Sequence, residues 1–353
     1  MYLVLSILVF SFLIFIHEFG HFITAKLSGV RVNEFSMFMG PAIFKKQVGE
    51  TLYAIRCIPL GGYCAMEGED DDSEDPRSFG KAAWWKRLLI LVAGSGMNFI
   101  SGFIILALIT ACLGGAIVPV ISQVEEGSLV GGPNGFQAGD EIYSIDGDRV
   151  FVQSDFSMIL YFNPGEVHDV VVVRDGQKVL LDNFVMKTTE FTDDEGNKSQ
   201  RYGIVFSVEY ASVPMVLTQS WKECMSILQQ VKMSLEMMFT GKIGLQDMSG
   251  PVGIVDVMVD MGEQAESFDL ALLNILNLGA YIAVNLAMMN MLPIPALDGG
   301  RVVALLLTTG IEKITGKKVN PKYEAYIHGA GMVLLLGLMA IILFKDVFTI
   351  VTR

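Results

Sequence analysis

The chain has 353 residues, of which 52% are hydrophobic and only 18% charged, with a mean hydropathy of +0.49. Soluble globular proteins carry about 25% charged residues, so this composition excludes an ordinary soluble domain and points to a membrane protein with polar inserts. A net charge of −13 excludes a basic nucleic-acid-binding protein, and no nucleic-acid partner is expected.

The first apolar run extends from about Tyr2 to Lys26. It has neither a basic flank nor a small-x-small cleavage site, so it reads as a retained spanning helix rather than a signal peptide. Residues 31–63 contain several β-rich runs joined by Gly and Pro turns. The acidic run from Glu67 to Asp75 reads as a solvated loop, with a cation site as the alternative. A second span is expected from about Leu88 to Leu113.

Between Ala116 and Asp269 the chain is acidic, with 24 Asp and Glu against 9 Lys and Arg. Its first part predicts a small β-rich module. "AIVPVISQV" and "HDVVVVRDGQKVLLDNF" read as strands with a turn at Asp175-Gly176. "FQAGDEIYSIDGDRV" reads as a turn, a strand, an Asp-Gly turn and another strand, and "SDFSMILYFN" has helical spacing. A second hairpin is expected from Val185 to Tyr210, turning at "DDEGNKS". His168 reads as a surface histidine. From Val213 to Phe239 the pattern becomes an amphipathic helix, which "SGPVGI" (Ser249 to Ile254) ends.

The third and fourth spans are expected from Leu270 to Leu292 and from Tyr326 to Phe344. The organisation is therefore an α-helical polytopic membrane protein with four transmembrane helices and an inserted β-rich domain. Its expected parts are residues 1–113, 114–212, 213–268 and 269–353. Basic residues set the orientation. The loop between spans one and two holds Arg31, Lys45, Lys46, Arg56, Arg77, Lys81, Lys86 and Arg87, and the loop after span three holds Arg301, Lys313, Lys317, Lys318 and Lys322. Both are expected to be cytoplasmic, with the acidic module on the other side. Cys57, Cys64, Cys112 and Cys224 are scattered and read as reduced, inert thiols.

The chemistry concentrates in His17-Glu18-Phe19-Gly20-His21. Residues four apart lie on one helix face, so two neutral imidazoles can reach one ion. The acid after the first histidine projects nearby, where it can take a proton from water. Ionisable groups in a spanning helix are costly and usually functional. A catalytic zinc needs a third protein ligand and an open position. His328, at the start of span four, is the weaker possibility. Asp298 in "NMLPIPALDGGRV" is the stronger, because two prolines break the helix at a depth where irregular backbone must line an enclosed cavity. On local sequence alone, an exit turn outside the bilayer fits Asp298 equally well. If both spans run inward, the histidines and Asp298 reach a similar depth.

These two motifs make the chain resemble the site-2 family of intramembrane zinc metalloproteases, and within it the bacterial regulator of sigma-E protease type with a PDZ domain. "PLGGYC", "DPRSF", "WWKRLLILVAGSGMNFI", "SGPVGI" and "IHGAGMVLLLGLM" also resemble family segments, so the likeness runs through nearly the whole chain. The resemblance implies zinc held by His17, His21 and Asp298, with Glu18 as general base. It places Asn98, with Gly94, in the family's Gly-x-x-x-Asn element near the active site. It aligns Asn290 and Pro293 with residues that hold and shape the path of the substrate backbone. It further implies that residues 31–63 form a membrane-associated β element able to clamp an unwound substrate, and that the inserted module is a single PDZ-like domain acting as an extracytoplasmic size filter. "GSLVGGPNGFQAGD" departs from the usual PDZ pattern, which bears on peptide-end binding more than on fold.

The implied substrates are single-pass membrane proteins in a bacterial cytoplasmic membrane: anti-sigma factors, signal-peptide remnants or membrane-tethered regulators, each trimmed by an earlier site-1 cleavage. Two other classes compete. A non-catalytic scaffold would function without Glu18, and a metal transporter would need polar residues along a path on both sides of the cluster.

Overall fold

The computed structural model describes residues 1–69, 73–192, 197–242, 244, 249–316 and 321–352. In chain order the elements are α1 (Tyr2–Ser28), β1 (Val32–Val48), β2 (Thr51–Met66), α2 (Trp84–Leu113), β3 (Gly115–Val124), β4 (Glu141–Ile145), β5 (Asp148–Arg149), α3 (Gln153–Phe162), β6 (Val167–Arg174), β7 (Gln177–Val185), β8 (Thr189–Thr192), β9 (Lys198–Arg201), β10 (Ile204–Tyr210), α4 (Val213–Phe239), α5 (Pro251–Glu263), α6 (Phe268–Asn290), α7 (Asp298–Thr315) and α8 (Pro321–Thr352). The chain divides into two compact units, one of Met1–Ile105 with Ser234–Arg353 and one of Leu106–Met233.

In the first unit all four expected spans are helices long and apolar enough to cross a membrane: α1, α2, α6 and the Tyr326–Thr349 part of α8. Their contacts use small residues, which let backbones approach. A Cβ on Gly20 would lie 2.4 Å from the Ala93 carbonyl oxygen, and one on Gly102 would lie 2.7 Å from Val284. Two helices were not anticipated. Pro251 was expected to end a helix, but α4 already stops at Phe239, and Pro251 stands instead at the first turn of α5, where its missing N–H costs nothing. The N-terminus of α5 is held by Asp346 of α8, whose Oδ2 accepts the Gly250 and Gly253 N–H groups at 3.0 and 2.9 Å. The second is α7, which begins at Asp298 itself, where a loop was expected.

β1 and β2 form a two-stranded antiparallel sheet with an irregular, bulged register. Arg56 ties it together, donating to Ser36 Oγ, the Gly40 carbonyl, Glu34 Oε1 and Tyr63 Oη. Of the acidic run, Asp70 to Asp72 lie outside the described residues. Glu67 accepts from Ser73 and Asn33, which hold its pKa below the ordinary value. Asp75 is held low by the Arg77 amide and by Arg31, and Glu69 pairs with Arg301.

The second unit is an antiparallel sheet in the order β10-β3-β4-β6-β7, with β5 beside β4. Asp146-Gly147 and Asp175-Gly176 make the tight turns, all four residues at positive φ. The core packs Ile121, Phe136, Ile142, Ile145, Phe156, Ile159, Val170 and Val172. Buried Asp140 pairs in two-pronged fashion with Arg174, both N–O distances being 2.8 Å. Asp155 at the start of α3 accepts the Phe151 and Val152 N–H groups on Oδ2 and the Ser226 hydroxyl on Oδ1, and burial pushes its pKa up. The expected hairpin from Val185 to Tyr210 is β8 with β9, its turn residues 193–196 lying outside the described ones. β10 does not join it: Gly203, at φ 67°, redirects the chain so that β10 pairs with β3.

His168 is not a surface residue. It is 4% exposed, between Asp146 Oδ2 at 2.7 Å and the Gly165 carbonyl at 3.1 Å. It shares the inward face of β6 with Val170 and Val172. All four cysteines are free. Burial pushes up the thiols of Cys64 and Cys224, the latter to about 12, which makes both poor nucleophiles.

Candidate metal centre

His17 and His21 stand one turn apart on α1, and α2 crosses them at Gly94. A Cβ at Gly94 would lie 2.3 Å from His21 Nε2 and 2.8 Å from His17 Cε1, so only glycine leaves room for the two imidazoles. On α2 the Ile90 carbonyl accepts the His21 Nδ1–H at 2.8 Å. A carbonyl can only accept, so Nδ1 carries the proton and Nε2 keeps its lone pair. Asn98, also on α2, lies with its amide 3.4 Å from His17 Nδ1. Its Oδ1 is otherwise buried without a partner. Exchanging the amide N and O lets Oδ1 accept the Nδ1–H, which sets the same tautomer for His17.

Asp298 arrives from α7. The preceding residues, 291–297, form successive turns, not the strand-like edge expected around Pro293. Pro293 is exposed and does not join the cluster. The start of α7 rests directly on these turns: Cβ atoms at Gly299 and Gly300 would lie 2.3 Å from the Met291 and Ile294 carbonyl oxygens. Asp298 Oδ2 is thereby placed 3.4 Å from His17 Nε2 and 3.3 Å from His21 Nε2, while the two Nε2 atoms are 3.4 Å apart. That oxygen is buried and has no hydrogen-bond partner. Asn290, the last residue of α6, brings Nδ2 to 3.4 Å from His17 Nε2.

The geometry fits a zinc ion. Zinc binds histidine nitrogen and carboxylate oxygen at about 2.0–2.2 Å in a tetrahedron, which requires donor atoms about 3.3–3.5 Å apart. The three observed separations match, and among the described residues His17, His21 and Asp298 are the one group of this kind. Glu18 lies beside β2, where the Cys64 backbone hydrogen-bonds its carboxylate, and a Cβ at Gly62 would come within 3.1 Å of its Cγ. His328 does not join the cluster. Its Nδ1 accepts the Ala296 N–H at 3.1 Å. The Ile90 carbonyl and the Gly62–Cys64 backbone are site elements that sequence reasoning missed, since a main-chain group leaves no residue-type signal.

Comparison with known proteins agrees with this geometry. Peptidase family M50 matches residues 5–338. The chain is 35% identical over 349 residues to a Clostridium acetobutylicum protein provisionally described as a zinc metalloprotease, covering 98% of this chain and 97% of that one. It is 26% identical to the regulator of sigma-W protease RasP of Bacillus subtilis, covering 97% of each. It is likewise 26% identical to the zinc metalloprotease RasP of Bacillus licheniformis, again covering 97% of each. Four apolar helices, a histidine–histidine–aspartate cluster and a family match over most of its length together identify the chain as a member of peptidase family M50, a multi-pass membrane zinc metalloprotease of the site-2 type.

Proposed function

We propose that the chain hydrolyses peptide bonds within or near the transmembrane segments of single-pass membrane proteins, with zinc held by His17, His21 and Asp298. The observation that carries this reading is the equilateral spacing of the three donor atoms around a buried, unpartnered carboxylate oxygen. Zinc, when bound, supplies Lewis acidity, which lowers the pKa of water toward about 7 and polarises the scissile carbonyl. Glu18 accepts the proton of the attacking water and delivers it to the leaving amide nitrogen. The Ile90 carbonyl and Asn98 keep the two imidazoles in the tautomer that leaves each Nε2 free.

A helical substrate must be extended before its peptide bonds are accessible. β1 and β2 form a two-stranded sheet, and its outer edges, with no further strand beside them among the described residues, suit strand addition. Asn290 would hold the extended backbone beside His17, and Pro293 would shape its path. The β-rich insert is read as a PDZ-like, extracytoplasmic module that excludes substrates until an earlier protease has removed their bulk. The basic loops suit a cytoplasmic placement, with the active site near that side of a bacterial cytoplasmic membrane. The RasP name, a regulator of sigma-W protease, favours an anti-sigma factor as substrate, ahead of signal-peptide remnants or other tethered regulators.

The test uses purified full-length protein and a single-pass substrate, with and without its ectodomain, and locates the cut by mass spectrometry. Zinc-dependent cleavage inside the apolar segment, abolished by Glu18→Gln and faster on the trimmed substrate, is the expected result. Cleavage confined to soluble regions would remove the intramembrane reading, and equal rates on both substrates would remove the filter.

A further inference from the structure

His328 lies on α8, one of the four spanning helices, yet among the described residues it belongs to no metal-binding group. What it does hold is the backbone two residues before Asp298. Ala296 has φ 80°, a left-handed conformation that an alanine adopts only when its surroundings enforce it. The Ala296 N–H can only donate, so His328 Nδ1, at 3.1 Å, is the acceptor and carries no proton. Gly331 follows His328 by three residues, on the same helix face. A Cβ at Gly331 would lie 2.5 Å from Pro295 Cβ and 2.8 Å from its backbone carbonyl. The Ile-His-Gly-Ala-Gly segment of α8 therefore grips Pro295 and Ala296 from one side. Gly299 and Gly300 of α7 close on Met291 and Ile294 from another.

Asp298 receives no comparable hold through its own Oδ2, which has no hydrogen-bond partner. Its aim comes from the turn that precedes it. We propose that His328 is a positioning residue: by accepting the Ala296 N–H it holds the strained turn that points the Asp298 carboxylate at His17 and His21. This rests on the reading of Asp298 as a zinc ligand. The imidazole works as a neutral acceptor at one remove from the site and takes no part in proton transfer.

The experiment measures zinc affinity of the purified full-length protein by competition with a chromogenic chelator. It adds the visible spectrum of the cobalt(II)-substituted protein and separate kcat and KM values on a single-pass substrate. Four variants are compared. His328→Leu removes the acceptor, and His328→Asn replaces it with an amide oxygen near the position of Nδ1. Gly331→Ala keeps the imidazole but pushes α8 off Pro295, and Asp298→Ala removes the ligand itself. His328→Leu is expected to weaken zinc binding about 10- to 100-fold, the range seen when groups behind a ligand are lost. It should also shift the cobalt bands and lower kcat with KM little changed. His328→Asn is expected to recover most of both, and Gly331→Ala to move in the direction of His328→Leu. Wild-type zinc affinity and cobalt spectrum in His328→Leu, with zinc lost in Asp298→Ala, would overturn the positioning role alone. Equal losses in His328→Leu and His328→Asn would also overturn it, because the acceptor would then not matter. If His328→Leu does not fold, unchanged zinc affinity in Gly331→Ala overturns it. Wild-type zinc affinity in Asp298→Ala would overturn the ligand assignment, and the positioning role with it.

Discussion

Gly94→Ala is a single-methyl test of the metal centre. The new Cβ would sit 2.3 Å from His21 Nε2 and 2.8 Å from both His21 Cε1 and His17 Cε1, where ordinary contact begins at 3.4 Å. The His21 ring must therefore retreat by about 1 Å, or α1 and α2 must separate. Metal–ligand distances tolerate only about 0.2 Å, so the displacement is about five times the tolerance. Retreat is also opposed by the Nδ1–H bond to the Ile90 carbonyl on the same helix α2. Zinc content of the purified protein, measured by atomic absorption, is expected to fall well below one per chain. Peptide hydrolysis is expected to fall about 10- to 100-fold, the range seen when groups supporting a ligand are lost. Gly96→Ala is the internal control, because a Cβ there meets nothing within 4 Å. Both substitutions change helix propensity alike, by about 1 kcal/mol in favour of alanine, so a difference between them reports on the imidazoles. Full zinc occupancy and full activity in Gly94→Ala would refute the crowding argument and the placement of both rings.

Glu18→Gln should retain one zinc per chain while slowing hydrolysis by about 10²–10⁴-fold, the usual contribution of a general base; activity within tenfold of wild type would remove Glu18 from that role. Asp140→Ala should destabilise the second unit by about 3 kcal/mol, because it removes the two-pronged partner of the partly buried Arg174 guanidinium and the acceptor of the Gln137 N–H; faster trypsin cleavage within Leu106–Met233 at matched dose is the readout, and an unchanged rate would contradict the pairing. Asp155→Asn keeps the three contacts, since its oxygen can serve the Phe151 and Val152 N–H groups and its amide can donate to Ser226 Oγ, whose own hydroxyl then turns to another acceptor. Burial raises the carboxyl's folded pKa, so wild-type Asp155 favours the fold below the ordinary value of 3.8 and loses that contribution as pH rises through the raised folded value. The asparagine variant should therefore resist proteolysis better than wild type at pH 7, with the advantage shrinking on acidification; an advantage that grows toward pH 4 would reverse the sign.

Long-range order in this chain is unevenly written in its residues. The spans and His17–His21 were legible because apolar length and the four-residue repeat are local signals. The Asp-Gly turns at 146 and 175 were legible for the same reason. α7 was hidden because Gly299 and Gly300 read as a loop, whereas their absent side chains let a helix start against Met291 and Ile294. α5 was hidden because Pro251 reads as a helix breaker, whereas at the first turn it starts one. His168 was misplaced although its period-two relation to Val170 and Val172 marked it as inward-facing. The acceptor role of His328 depends on the φ of a residue 32 positions earlier, which no local pattern encodes.

The cluster draws on α1 and on the start of α7, with His17 and Asp298 separated by most of the chain. A ribosome adding about 5–20 residues per second needs roughly 15–60 s to travel from one to the other. During that interval the first helix can already be in the bilayer beside other nascent proteins, carrying His17, Glu18 and His21 but not yet joined by Asp298. The order of synthesis thus withholds the third ligand until most of the chain has been made.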